Sequence, residues 1–93
     1  MPELICEIWL DETNGSLEAG QVSENHDRVR KAVSPNSVRL HTYTARSNFE
    51  IFQKSYDWHG WGEWKIPEDV REHFFSEAEA DEQRRYLAIR QVD

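Results

Sequence analysis

The chain has 93 residues, a net charge of −7 and a single cysteine, which leaves room for one domain, residues 1–93, and excludes an internal disulfide or a cysteine-built zinc site. No run of about 18 apolar residues is present to span a membrane, and the start Met-Pro-Glu-Leu-Ile-Cys lacks the basic and apolar segments of a signal peptide, so the expected location is cytoplasmic. The acidic balance opposes direct binding to nucleic-acid phosphates.

Residues 4–10 alternate as a strand does, with Leu4, Cys6, Ile8 and Leu10 on a core face and Ile5, Glu7 and Trp9 on the other. Asn14-Gly15 supplies the positive φ of a tight turn. Residues 16–22 fit no single pattern, and Gly20 argues against a long helix there. Ser23 is an N-cap for a helix over 24–33, with Glu24 and Asp27 at the positive end of its dipole and Arg30 and Lys31 at the other. Its thin stripe of Val22, Val29 and Val33 places it on the surface, and Pro35-Asn36 ends it.

Val38–Thr44 is the next strand, with Arg39, His41 and Tyr43 alternating against Val38, Leu40, Thr42 and Thr44. The crossover before it is long enough for a parallel pairing with the first strand. Ser47-Asn48-Phe49-Glu50 reads as a capping box. The helix behind it carries Phe49, Phe52 and Tyr56 at helical spacing and ends on Gly60, which presses Trp61 back onto Tyr56. Glu63–Ile66 can form a short edge strand, and Pro67 can open a helix bearing Val70 and Phe74. Ser76 and Glu79 form a second capping box, starting a helix expected to be solvated at its front and docked at its rear through Tyr86, Leu87 and Ile89. The order predicts an α+β fold: a small sheet of two to three strands with helices packed mainly on one face.

Leu, Ile, Val and Phe are only 20 of the 93 residues, near the ~20 % at which charged chains lose order. The 4 Trp, 3 Tyr and 4 Phe are therefore expected to build the core. The charge is uneven, for residues 63–82 hold eight acids (Glu63, Glu68, Asp69, Glu72, Glu77, Glu79, Asp81 and Glu82) against Lys65 and Arg71.

No nucleophile motif, phosphate loop or HExxH pattern occurs, and no motif is specific enough to name a family. Cys6, on a core face, is expected to be inert. Two function classes remain. In the first the chain is a non-catalytic protein-interaction or regulatory domain whose partner is a basic protein, such as a nucleic-acid-binding protein whose phosphate site the acids would occupy. Its candidate partner-binding residues are Trp9, His41 and Tyr43, expected to share an outer sheet face with Glu7 and Arg39, and the acids Glu79, Asp81 and Glu82. No cofactor or metal is expected in this class. In the alternative the chain is a small enzyme or a ligand- or metal-binding domain using His41, Asp57 and His59 near the aromatic turn from Trp58 to Trp64.

Overall fold

The computed structural model describes residues 1–91. Its elements, in chain order, are β1 (Leu4–Asp11), β2 (Ser16–Gln21), α1 (Glu24–Val33), β3 (Ser37–Ala45), α2 (Asn48–His59) and α3 (Glu77–Leu87). This is the small α+β architecture expected from the sequence.

The sheet has the order β2-β1-β3, antiparallel throughout. Gly15, at φ 76°, closes the hairpin between β1 and β2, and Asn14 Oδ1 accepts from Ser16 N at 2.9 Å. That hairpin resolves residues 16–21, which fitted no single pattern, as a strand. It also decides the direction of β3. Because β2 returns the chain to the Leu4 end, α1 must carry it back to the Asp11 end, and β3 enters there, Ser37 opposite Asp11. The parallel pairing permitted by the crossover length does not form.

A β-bulge then rearranges the faces of β3. Ile8 lies opposite His41 and Trp9 opposite Arg39, which leaves Leu40 out of register. His41 and Tyr43 therefore join Ile8 and Cys6 on one face, while Arg39 joins Glu7 and Trp9 on the other. The expectation that Trp9, His41 and Tyr43 share a surface is overturned by this single extra residue.

α2 covers the Cys6 face. The core is Leu4, Cys6, Ala45, Ile51, Phe75 and Ala80, with Tyr43 packed against it, and Ile8 is fully enclosed. Among the aromatic residues only Phe75 is buried in it, with Tyr43 beside it, and the rest is small and aliphatic: no Trp is buried, and Trp58 and Trp61 are 44 % and 53 % exposed. α1 lies across the opposite face and docks through buried Asp27 and Arg30, while Val29 and Val33 face solvent. α3 is docked at its rear as expected through Tyr86 and Leu87, both partly buried, but Ile89 is 75 % exposed and takes no part, and the docking extends forward to buried Gln83 and Ala80, beyond the expected rear half. Gln83 explains the middle contact. Its amide accepts from Ile5 N at 2.8 Å and donates to Ile5 O and Val22 O at 2.9 and 3.0 Å, taking up backbone groups where the β1–β2 ladder ends.

The caps are mostly as the sequence prescribes. Ser23, Ser47 and Ser76 each accept the amide three residues on, and Ser76 with Glu79 closes a reciprocal box. At Ser47 the box is half made, because Glu50 turns to Arg46, taking its backbone N–H at 2.9 Å and its guanidinium at 2.6 Å. Gly60 adopts φ 73°, Trp61 N donates to Tyr56 O at 2.9 Å, and the two rings meet edge to face at 5.3 Å. The Glu63–Ile66 strand and the helix after Pro67 do not form. Trp64 N donates to Gln53 Oε1 instead, and its ring packs on Phe49 and Phe52, so this segment follows α2 rather than the sheet edge. Among the described residues no helix is long and apolar enough to cross a membrane.

Candidate interaction surfaces

Three surfaces follow from this arrangement. The first is a row of rings. The stripe Phe49, Phe52, Tyr56 does not point into the core, which α2 reaches through Ile51 and Ser55. It lies at the helix flank, where the turn at Gly60 folds Trp61 and Trp64 onto it. Trp64 stacks on Phe52 at 5.1 Å and His59 stacks on Trp61 at 3.9 Å. From the neighbouring side His41 stacks between Tyr43, at 5.9 Å, and Trp58, at 5.0 Å. Tyr43 is anchored, its hydroxyl donating to Ile51 O at 2.8 Å.

This row also shows what becomes of the acid–base reading. His41 and His59 each pack on Trp58, so an indole is their shared neighbour. The Asp57 carboxylate accepts from Gln53 Nε2 at 2.9 Å. Among the described residues no three His, Cys, Asp or Glu side chains gather as metal ligands would.

The second surface is the face of Glu7 and Trp9, and most of it is closed. Arg90, just beyond α3, donates to Glu7 at 2.6 and 2.9 Å and to Asp27 at 2.8 and 3.0 Å. Arg30 donates to Asp27 at 2.8 Å, Tyr86 donates to Asp27 through its hydroxyl, and Arg39 donates to Glu7 at 3.0 Å. Burial resists ionisation of Asp27 more than any other single influence, yet the bonds from Arg90, Tyr86 and Arg30 together outweigh it and hold its pKa at about 2. Glu7 shows the same balance, with burial opposed by Arg90, Arg39 and the Trp9 indole, and its pKa is lowered. Trp9, named from sequence as a partner contact, is a member of this cluster: its Nε1–H donates to Glu7 at 3.0 Å and the Arg30 guanidinium sits 3.6 Å above its ring.

The third surface is a groove of about 320 Å³ between the start of α1 and α3. Leu4, Val22 and Ile89 give it an apolar lining, and Glu24, Glu79 and Glu82 stand around it with Arg85. The three acids named from sequence differ in their engagement. Glu79 accepts from Ser76 N at 3.0 Å and from His73 at 2.8 Å, and first the Ser76 amide and then His73 hold its carboxyl below the usual range. Asp81 pairs with Arg84. Glu82 is exposed at the groove, which Glu24, at the start of α1, also lines.

Cys6 is fully buried, and burial pushes its thiol up to about 12, as a core cysteine requires. Compared with known proteins, the chain matches no family model, no curated protein and no solved structure.

The arginine cluster and the groove leave no local pattern in the sequence, because each joins residues more than 50 positions apart. One signal was present in the chain: Arg90 is a lone strong base following a helix whose last turn already carries Arg84 and Arg85.

Proposed function

We propose that this chain is a non-catalytic, acidic interaction domain of the cytoplasm that binds a basic protein, with the groove between α1 and α3 as its principal contact. The observation that carries this reading is the pairing of an apolar lining (Leu4, Val22, Ile89) with carboxylates on both walls, Glu24 and Glu82. An apolar side chain of the partner displaces water from the lining, and flanking lysines or arginines meet the acids. A nucleic-acid-binding protein, whose phosphate site is basic, is a partner of this chemistry. The ring row offers a second contact area.

The test is binding of a fluorescent 12-residue peptide in which Lys and Arg alternate with Leu, measured by anisotropy over a range of salt. Glu24→Gln with Glu82→Gln should weaken binding about three- to tenfold, as loss of two exposed charge contacts does, and should flatten the salt dependence. Glu79 is left intact, since its carboxylate caps α3. Unchanged affinity and salt slope in the double variant would remove the groove from the proposal.

A further inference from the structure

We propose that the cavity between the α2 flank and β2 receives an arginine side chain of the partner, a second and chemically distinct contact that rests on the reading of the chain as a protein-binding domain. The cavity measures about 290 Å³, roomy enough for a guanidinium with part of its stem. Four carbocyclic or indole rings line it, Phe52, Tyr56, Trp61 and Trp64, together with the His59 imidazole. Its remaining wall comes from Ser55 and from Leu17 and Ala19 of β2, with Glu18 bordering it at the exposed sheet edge, and its lining includes no lysine or arginine.

Three considerations select the ligand. The faces of these rings are electronegative and attract a cation held within about 6 Å of their centres. A chain of net charge −7 adds an overall field of the same sign. A planar, weakly hydrated guanidinium stacks on such faces better than a compact ammonium does, and this chain already makes that contact internally, where Arg30 lies 3.6 Å over Trp9.

The rings are also held in place before any ligand arrives. Gly60 fixes the turn, Trp61 rests edge to face on Tyr56 and carries His59 on one face, and Gln53 binds both Gly62 O, at 3.3 Å, and Trp64 N, at 3.1 Å. Trp61 nevertheless stays 53 % exposed. A ring fixed by its neighbours and left open to solvent is preorganised for stacking.

The four indole N–H signals of the chain provide the assay, because Trp61 and Trp64 line the cavity while Trp9 and Trp58 do not. Blocked Gly-Arg-Gly should shift the Trp61 and Trp64 signals saturably and leave Trp9 and Trp58 nearly still. The neutral citrulline, lysine and leucine counterparts should produce much smaller shifts. Trp61→Ala should weaken the arginine response about tenfold, in line with loss of a desolvated cation–ring contact, while Trp58→Ala should not. No saturable shift, or an equal response to citrulline, lysine or leucine, overturns the assignment. The groove assay above is read on the same sample. Groove binding with a silent cavity refutes the arginine contact alone, a responsive cavity with no groove binding refutes the groove alone, and failure of both refutes the protein-binding reading.

Discussion

Arg90→Met removes the charged end of the residue that joins β1 to α1 while keeping much of its stem. Four hydrogen bonds vanish, two from Glu7 and two from Asp27, and both carboxylates are left with side chains only 4 % exposed. Removing one partner of a buried ion pair costs about 3–5 kcal/mol, chiefly through the uncompensated charge that remains. Arg30 and Tyr86 still serve Asp27, and Arg39 and Trp9 still serve Glu7, so the expected loss is about 3 kcal/mol, the lower end of that range. In a domain of this size such a loss lowers Tm by about 12 °C or more. The pH dependence adds a second readout. The folded pKa of Asp27 is depressed from 3.8 to about 2, so its contribution, about 2 kcal/mol, is fully present above pH ~4 and is lost as pH falls toward ~2. In Arg90→Met, burial is opposed by fewer donors, and this acid limb should flatten or reverse. Urea unfolding followed by tryptophan fluorescence from pH 2 to 7 measures both effects. A loss under about 1 kcal/mol, or an acid limb equal to that of the wild type, would mean that Arg90 does not clamp these carboxylates in solution.

Gln83→Leu preserves side-chain bulk but strips partners from Ile5 N and Val22 O, and should destabilise the fold by about 2–3 kcal/mol; a near-neutral denaturation midpoint would show that water substitutes for the amide. Gly60→Ala should cost about 1 kcal/mol from the left-handed backbone alone, because a Cβ there would meet nothing within 4 Å; thermal unfolding at equal protein concentration reads it. Cys6, with its thiol pushed up to about 12, should react with a maleimide at neutral pH far more slowly in the native chain than in urea, and comparable rates would place it at the surface.

The legible part of this fold is the local part. The three serine N-caps, the Gly60 ending and the β1 strand each depend on residues within one or two turns of one another, and each forms, although Glu50 does not complete the box at Ser47 and β1 is buried at Glu7 as well as along its apolar face. What the pattern could not show depends on distant partners. Leu40 carries no mark of a bulge, yet by leaving the register it sends His41 and Tyr43 to the α2 face. The aromatic stripe of α2 has helical spacing, but spacing identifies a face and not what covers it. Small side chains at Cys6, Ala45 and Ala80 let the core close around Phe75 and Tyr43 alone among the rings, and Trp61 and Trp64 were left to line the flank. Of the candidate site, Glu82 and the aromatic turn were legible, whereas Glu24 became part of it only when α3 folded against the start of α1.

The net charge of −7 is carried almost wholly by the outside of this molecule. The enclosed members of the arginine cluster, Glu7, Asp27, Arg30 and Arg90, are two acids and two bases and cancel, whereas the third arginine, Arg39, is 42 % exposed. Enclosed, Arg30 and Arg90 contribute little to the potential a partner meets. Outside, the balance is most uneven over residues 63–82, where eight acids stand against Lys65 and Arg71. The fold thus keeps a balanced set of charges inside, where arginine binds α1 and α3 to the sheet, and leaves the acidic excess at the surface. A basic partner would meet that excess, so raising salt should weaken its association while barely touching stability, since the enclosed pairs are screened far less.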